Sequence, residues 1–389
     1  MAAYQIPSDM IDEILVRLPV KTLLCFKSVC KDWYTLINSS LFTQLHLNKS
    51  LVFNSRHNRT LVYTETDSLC VVDGIYQPLK TVKVYWPKDI IRNREDLRAV
   101  GSCNGLVCLY VTGLAINWKV SRFLICNPST RTFKFKPTFP FLELKCLEHW
   151  DLSFGFGYDG AHDDYKIVVT RKHWEKSVRV LYIYSFKADL WKCATHTLDE
   201  GSYGNGRQKL NKSEVYAYNM LHYIVYSVMD AFNRNPNYRI ARFDLSTEIW
   251  RNDLNFPGGV TRSTYVMLGV WDDCLYVRLG LSYCSPHNVW VMKGYGDGDS
   301  WSIKYNIPED FWDCTLVSPT KERPSRLLFA CGYPNYGLPQ LLWYDPYANT
   351  TEAFEVEEWS SRSSLHHCNL CIASLVSIPG TSFNPGPTP

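Results

Sequence analysis

The chain has 389 residues, of which 46% are hydrophobic and 20% are charged. This length exceeds the roughly 100–200 residues of one domain, so it predicts a small domain beside a large one. The formal net charge of +3 is too small to indicate nucleic-acid binding, which needs a concentrated basic face. No apolar run approaches the ~18 residues of a membrane helix, so we expect no membrane partner.

Fourteen cysteines are scattered along the chain, and most lie inside apolar runs, as Cys103, Cys108, Cys126 and Cys331 do. The polar start Met1–Tyr4 does not resemble a signal peptide. In an intracellular protein, such cysteines are predicted to be small buried thiols. We therefore expect a cytoplasmic protein and leave the nucleus open as a second compartment.

The first fifty residues carry a helical pattern. The segment from Ser8 to Arg17 has an apolar stripe with helical period: Ile11, Ile14, Leu15 and Leu18. Ser8 is predicted to cap this helix and Pro19 to follow its end. A second helix is predicted over Lys21–Phe26 and a third from about Cys30 to Ile37. Three short helices make a very small core, so this module is predicted to need a partner.

The segment from Ile6 to Trp33 resembles an F-box along its whole length. The match combines the pairs Ile6-Pro7 and Ile14-Leu15, the link Leu18-Pro19-Val20-Lys21 and the close Val29-Cys30-Lys31-Asp32-Trp33. The resemblance implies docking onto a Skp-family adaptor and, through it, onto the cullin of a ubiquitin ligase. The residues that would face the adaptor are Pro7, Ile14, Leu15, Leu18, Pro19 and Val20. Those that would pack against or border this contact are Val29, Cys30 and Trp33.

Two positions depart from the F-box pattern. Ile6 replaces the commoner Leu, and Cys25 stands where the family often has Arg. Neither change removes the predicted contact face. Periodicity alone leaves open that the apolar residues of the helices simply pack against the large domain.

From about Leu51 onward, short apolar and aromatic runs alternate with turn residues. A strand that follows a turn, as in Asn104–Tyr110, alternates with a hairpin, as in Ile125–Phe133. Successive copies lie roughly 45–60 residues apart, the spacing of kelch-like blades. We expect a sixth blade to form from a hairpin near Leu61–Val72 and a closing strand at Cys371–Ile378.

These segments resemble the F-box-associated domain of plant F-box proteins. The motifs that carry the resemblance are Gly101–Leu106, Asn127–Arg131, Phe154–Asp159 and Val289–Gly296. The last is similar to S-locus F-box proteins, pollen factors that recognise secreted pistil ribonucleases. The slightly basic balance of the chain fits poorly with a basic ribonuclease as its target.

The sequence therefore predicts an α+β multidomain chain in three parts. A three-helix F-box covers residues 1–50, an all-β kelch-like propeller of about six blades covers 51–378, and a disordered tail covers 379–389. Propellers bind partners through loops at one face. The candidate segments for target contact are Lys83–Arg98, Phe139–Leu152, Asp199–Glu214 and Asn252–Thr264.

No set of nucleophile, base and orienting group is apparent, so we expect neither an enzyme site nor a cofactor. The segment His366–Cys371 holds four potential zinc ligands, but no second close pair lies at finger-like spacing, so no metal is predicted. His162-Asp163-Asp164 is predicted to be a solvated turn.

The function that the sequence predicts is a substrate-recognition subunit of a Skp-cullin-F-box ubiquitin ligase. Its partners would be the adaptor, the cullin and an unknown protein target, with a pistil S-ribonuclease as one candidate. Two alternatives stay open. The chain could be an F-box scaffold outside a ligase, or a propeller enzyme or sugar-binding module whose N-terminal helices are structural.

Overall fold

The computed structural model describes most of the chain, with gaps between its parts. The described residues are 7–53, 59–64, 69–73, 80–84, 95–115, 118–137, 152–172, 179–196, 207–228, 237–257, 265–271, 274–280, 285–296, 300–311, 314–320, 323–331, 340–354 and 364–380. The predicted tail falls outside them from residue 381 onward.

Four helices, not three, form the N-terminal helical module, residues 7–53. They are α1 (Ser8–Leu15), α2 (Val20–Phe26), α3 (Lys31–Asn38) and α4 (Ser40–Phe53). The core between them consists of Leu15, Val16, Val20, Leu23, Ile37 and Phe42. His46 Nε2 on α4 lies 2.9 Å from the carbonyl oxygen of Leu18, which ties the fourth helix to the end of the first.

The predicted cap at Ser8 is wrong. α1 begins at Ser8 itself, and Pro7 precedes it without a side-chain cap bond. Proline fits this position because it has no N–H group to satisfy and its fixed φ angle is compatible with entry into a helix. At α3 the Cys30 sulfur takes the capping role and accepts the Trp33 N–H at 3.5 Å.

Within the described ranges, twenty-four strands form six antiparallel sheets of four, which confirms the predicted six-bladed propeller. The first sheet contains β1 (Arg59–Thr64), β2 (Leu69–Asp73), β3 (Lys80–Val84) and β24 (Ser364–Ile372). The second contains β4 (Glu95–Cys103), β5 (Leu106–Ala115), β6 (Trp118–Asn127) and β7 (Thr132–Phe135). The third contains β8 (Leu152–Asp159), β9 (Asp164–Lys172), β10 (Arg179–Ser185) and β11 (Leu190–His196).

The remaining three sheets repeat the same meander. The fourth contains β12 (Arg207–Ala217), β13 (Met220–Val228), β14 (Asn237–Asp244) and β15 (Trp250–Leu254). The fifth contains β16 (Tyr265–Trp271), β17 (Cys274–Gly280), β18 (His287–Met292) and β19 (Trp301–Ile307). The sixth contains β20 (Cys314–Thr320), β21 (Arg323–Cys331), β22 (Gln340–Asp345) and β23 (Thr350–Phe354).

The last strand closes the ring by pairing with the first. β24 runs antiparallel to β1, with Arg59 opposite Ile372 and Leu61 opposite Leu370. It thus supplies the inner strand of the first sheet, beside the inner strands β4 and β20 of the neighbouring sheets. The closing strand is therefore Ser364–Ile372, and the prediction of Cys371–Ile378 is wrong. Residues 373–378 leave the sheet because they contact the helices and the second sheet.

Asn and Asp side chains fasten the hairpin turns between the third and fourth strands of several sheets. The Oδ1 atoms of Asn127, Asp244 and Asp345 accept N–H groups two and three residues further along, at 2.9–3.3 Å. Such Asx turns reverse the chain without help from distant residues. For this reason the hairpins are predictable from the sequence.

The cysteine prediction holds for three of its four examples. Cys103, Cys108 and Cys126 are buried free thiols, and burial raises the pKa of Cys103 to about 12. Cys331 is the exception, because it forms a disulfide with Cys314. These two residues lie opposite each other on β20 and β21, with Cα atoms 4.1 Å apart. The strand register that brings them together was not visible in the sequence.

Candidate functional site

The helical module carries a concentration of exposed apolar side chains. Of the twelve large apolar side chains that the described part of the chain leaves exposed, seven lie in this module. They are Met10, Ile14, Val29, Tyr34, Leu41, Leu45 and Leu51. Their concentration in so short a segment indicates a surface that a partner covers.

α1 and α4 contribute two pairs of these residues at helical spacing. Met10 and Ile14 are one turn apart on α1, and Leu41 and Leu45 are one turn apart on α4. An ion pair joins the two helices, with Lys49 Nζ on α4 at 3.4 Å from Glu13 Oε2 on α1. We call Met10, Ile14, Leu41 and Leu45 the apolar face of the module.

A small cluster of charges borders this face. Arg17 donates to Glu13 at 3.0 Å, and Lys49 approaches the same carboxylate. The hydrogen bond from Arg17, with the nearby Lys49 charge, lowers the pKa of Glu13. Because all three side chains retain solvent contact, the cluster contributes more to orientation than to the stability of the module.

The structure separates the six predicted adaptor residues into two groups. Pro7 is exposed, Ile14 is 52% exposed, and Leu18 and Pro19 are half-buried. Leu15 and Val20 are only 1% and 0% exposed and form part of the core between the helices. In this conformation their side chains therefore lie beneath the exposed residues of the module.

The helical turn explains this division. Ile11, Leu15 and Leu18 lie on the inner side of α1 and the turn that follows it, while Met10 and Ile14 lie on the outer side. Neighbours in sequence such as Ile14 and Leu15 are about 100° apart around a helix. The apolar stripe alone did not say which side faces the core.

Sequence reasoning missed Met10, Leu41 and Leu45, and it placed no helix over residues 40–53. The i, i+4 spacing of the two leucines was the available signal. Of the three residues predicted to border the contact, Val29 and Cys30 are exposed. Trp33 is half-buried and packs against Phe26, with ring centroids 5.2 Å apart.

The C-terminal segment 373–380 joins the helical module to the propeller. Leu375 is 6% exposed and packs into the core of the helices. Asn127 Nδ2 donates to the carbonyl oxygens of Ser374 and Val376 at 3.0 and 2.8 Å. Ile378 packs into the apolar core between the second and third sheets. One short segment therefore contacts both parts of the molecule.

Strand direction assigns the helical module to one face of the propeller. In an antiparallel sheet, alternate connections lie at opposite ends. The turn at Asn104-Gly105, between the first and second strands of its sheet, contacts Ser374 in the joining segment. The start of β1 lies at the same end, because Arg59 is opposite Ile372.

The described strand ends that flank the four predicted target segments lie at the opposite face. Each segment connects the outer strand of one sheet to the inner strand of the next. Some of their ends lie within strands; residues 95–98 are in β4 and residues 207–214 are in β12. The other residues of these segments include 85–94, 139–151, 199–206 and 258–264, which lie outside the described residues.

Family models match both parts of the chain. The F-box domain model matches residues 4–45, and the model described as F-box associated beta propeller domain matches residues 53–329. The chain is an F-box protein with an F-box-associated propeller. The six sheets of this F-box protein are the propeller that the family name describes.

Relatives of this F-box protein include two from Arabidopsis thaliana. An F-box/kelch-repeat protein is 30% identical over 319 residues, which are 78% of this chain and 80% of the relative. F-box protein CPR1 is 25% identical over 410 residues, with 95% of this chain and 88% of the relative covered. Among solved structures, the Hadza microbial sialidase Hz136 matches at 11% identity with a TM-score of 0.46. The match covers 79% of this chain and 72% of the sialidase, and it carries no argument about function.

The cysteines of the segment His366–Cys371 pack into apolar cores in this F-box protein. Cys368 packs against the core beside the sixth sheet, whereas Cys371 packs into the core beside the second, so they face opposite sides of β24. Within the described ranges, no three His, Cys, Asp or Glu residues are placed to share a metal ion.

The segment His162-Asp163-Asp164 spans the turn between β8 and β9, as predicted, but it is not wholly solvated. Asp164 is buried and accepts hydrogen bonds from Ser185 Oγ at 2.6 Å and from the Lys187 N–H at 2.8 Å. His162 Nδ1 lies 2.8 Å from the buried Asp159. These bonds hold hairpins in place and leave no reactive group facing a cleft.

Proposed function

We propose that this F-box protein is a non-catalytic substrate-recognition subunit of a Skp-cullin-F-box ubiquitin ligase. The observation that carries the proposal is the apolar face of Met10, Ile14, Leu41 and Leu45 on the matched F-box. The helices would bind the adaptor while the propeller holds a protein target near the transfer site. Ubiquitin transfer would then follow from proximity, with the chemistry supplied by other subunits.

The docking surface proposed here comprises the apolar face together with Pro7, Leu18 and Pro19. Leu15 and Val20 would support it from beneath, because their side chains fill the core under α1 and α2. Burying one Ile or Leu side chain is worth ~1.5–3 kcal/mol, so four such residues can supply a stable contact. A variant at Leu15 would disturb the fold of the module and would not isolate the contact.

Ile14→Asp tests the docking surface. The change places a charge where the adaptor would bury an apolar side chain, so we expect adaptor affinity to fall by at least about tenfold. Ile249→Asp is the matched control, because Ile249 is 54% exposed on a propeller hairpin and Ile14 is 52% exposed. Affinity is measured by titrating purified Skp-type adaptor onto the full chain. Equal binding by both variants would remove Ile14 from the surface.

The target would bind at the propeller face opposite the helices. The support is topological, since all four predicted target segments connect outer to inner strands at that face. This places a bound target away from the adaptor side, where it does not compete with docking. Exchanging the four segments for those of a relative should exchange the bound target, as measured by affinity capture with ligase activity blocked. A chimaera that keeps its original target would contradict the assignment.

A pistil ribonuclease as the target stays a prediction. The Val289–Gly296 stretch that suggested it contributes mainly to the framework, since Val289, Val291 and Met292 are buried in and beside β18. These three buried side chains are not available to contact a target. Other proteins with the same propeller framework would share it.

Capture of cullin separates the ligase subunit from the scaffold alternative. If the full chain binds the adaptor and the same complex contains cullin, it acts in a ligase; adaptor without cullin would indicate a scaffold. We propose the cytoplasm, with the nucleus as a second compartment, as the place of action. No helix in the described part of the chain is long and apolar enough to cross a membrane.

A further inference from the structure

A central channel runs between the six inner strands of the propeller. Its volume is about 260 Å³, and β4, β8, β12, β16, β20 and β24 all contribute to its wall. Since a water molecule occupies about 30 Å³ of liquid, the channel can take a molecule of about ten non-hydrogen atoms. The channel is separate from the apolar face of the helices.

Among the described residues, two charged side chains line this channel: Arg98 on β4 and Glu214 on β12. They come from the second and fourth sheets and approach each other only because the ring closes. The rest of the described lining consists of apolar, glycine and neutral polar residues. The sign of the net charge in the channel therefore depends on the ionisation of these two groups.

Glu214 is held as a neutral acid at pH 7. Burial raises its pKa to about 8, against the opposing effects of the Arg98 charge, the Phe154 N–H and the Ser153 side chain. The Phe154 N–H donates to Glu214 Oε1 at 2.8 Å. With Glu214 protonated, Arg98 gives the channel a net positive charge.

Arg98 has hydrogen-bonding capacity that the protein does not use. Its Nε atom is buried and has no partner among the described residues. By contrast, the hydroxyl groups of Ser102, Tyr216 and Tyr276 on the lining donate to backbone carbonyl groups. The Arg98 guanidinium lies 5.6 Å from the centre of the Phe154 ring, which places an aromatic surface beside the charge. A partly buried cation with an unused donor attracts an anion with planar oxygens.

We propose that the central channel binds a small organic carboxylate, with Arg98 as its counter-ion. The carboxylate oxygens accept from the guanidinium, and protonated Glu214 can donate a further hydrogen bond. The apolar lining beside Phe154 and Leu268 suits the hydrocarbon part of the molecule. Binding at the contact point of several sheets would stabilise the closed ring, because a ligand that binds only the folded state raises its stability.

Benzoate and benzamide test this proposal, because they have the same shape and differ in charge. We expect saturable benzoate binding to the purified full chain in isothermal titration calorimetry, with a matching rise in Tm. Benzamide should bind at least about tenfold more weakly, since it cannot form a charge-assisted pair. Acetate, hexanoate, chloride and phosphate at equal ionic strength complete the panel and separate carboxylates from anions in general.

Arg98→Met should lower benzoate affinity at least about tenfold. Arg326→Met is the control, because Arg326 pairs with Glu352 at 2.9 Å on the surface. This variant should bind benzoate with the affinity of the parent. If Arg98→Met does not fold, Arg98→Lys decides the matter and should weaken binding several-fold.

Three results would overturn the proposal. The first is that none of the carboxylates binds the folded parent saturably. The second is that benzamide, chloride or phosphate binds as tightly as benzoate. The third is that the Arg98 variants keep the affinity of the parent. Adaptor capture measured on the same variants is a separate readout, so failure of the docking surface would not be mistaken for failure of this site.

Discussion

Glu214 and His222 show how the propeller interior changes ordinary side chains. Burial raises the pKa of Glu214 to about 8 and lowers the pKa of His222 to about 4. His222 Nε2 also lies 2.7 Å from the Tyr295 hydroxyl, so its ring is fixed in position. Both residues are therefore neutral at pH 7, because low polarity around them disfavours the charged form of either group.

Glu214→Gln should flatten part of the dependence of stability on pH. The ordinary pKa of a glutamate is 4.5, so between pH 4.5 and 8 the unfolded chain releases this proton while the folded chain keeps it. The contribution of this group to the free energy of unfolding of the parent therefore falls as the pH rises from 4.5 to 8. Outside that window the contribution is constant. Glutamine has no proton to release.

Urea unfolding at pH 5 and pH 8 measures this difference. The variant should be close to the parent at pH 5 and more stable than the parent at pH 8. A stability difference that does not change between the two pH values would contradict the raised pKa of Glu214.

At the scale of elements, the joining segment 373–380 decides how the two parts of the chain meet. It passes from β24 to the core of the helices and then to the second sheet. Gly105 permits this route, because its φ of +83° and its contact with Ser374 leave no space for a side chain. A target held by the propeller would consequently be fixed relative to the helical module.

Leu375→Ala should loosen the helical module while leaving the propeller closed. Removing a buried leucine costs ~2–5 kcal/mol, and here the loss falls on the small core of the helices. Hydrogen exchange should become faster in α1, α2 and α3 and stay unchanged in β24. Leu190→Ala is the control, since Leu190 is exposed on β11. Unchanged protection of the helices in Leu375→Ala would show that the segment does not hold the module.

At the scale of the whole molecule, stability depends on closing the ring. Each sheet buries its faces against its neighbours, as the apolar clusters between adjacent sheets show. β24 removes the free edge that β1 would otherwise present. The end of the chain therefore stabilises its beginning.

Deleting residues 364–389 should abolish cooperative unfolding, because it removes the inner strand of the first sheet and the joining segment together. Deleting residues 381–389 alone keeps every described contact and should leave Tm unchanged. Differential scanning calorimetry on the two truncated proteins and the parent checks this. A cooperative transition at the parental Tm in the protein that lacks residues 364–389 would contradict closure by β24.

Much of the fold was predictable because it depends on local chemistry. Turns such as the one at Asn127 are stabilised by their own side chains, and the spacing of the repeats set the blade count at six. The helices near Ser8 and Lys31 followed from periodicity. The fourth helix escaped because its apolar residues are spread around the axis and include the exposed Leu41 beside the buried Phe42.

The site was less predictable than the fold. The sequence by itself determined that an F-box precedes a propeller, since both depend on short-range motifs and repeat spacing. Only the tertiary structure decided that Ile14 faces outward and Leu15 inward, that Leu375 belongs to the helical core, and that Arg98 meets Glu214 in the channel. The contacts of Leu375 and Arg98 join residues far apart in the chain, and Arg98 approaches Glu214 only when the ring closes.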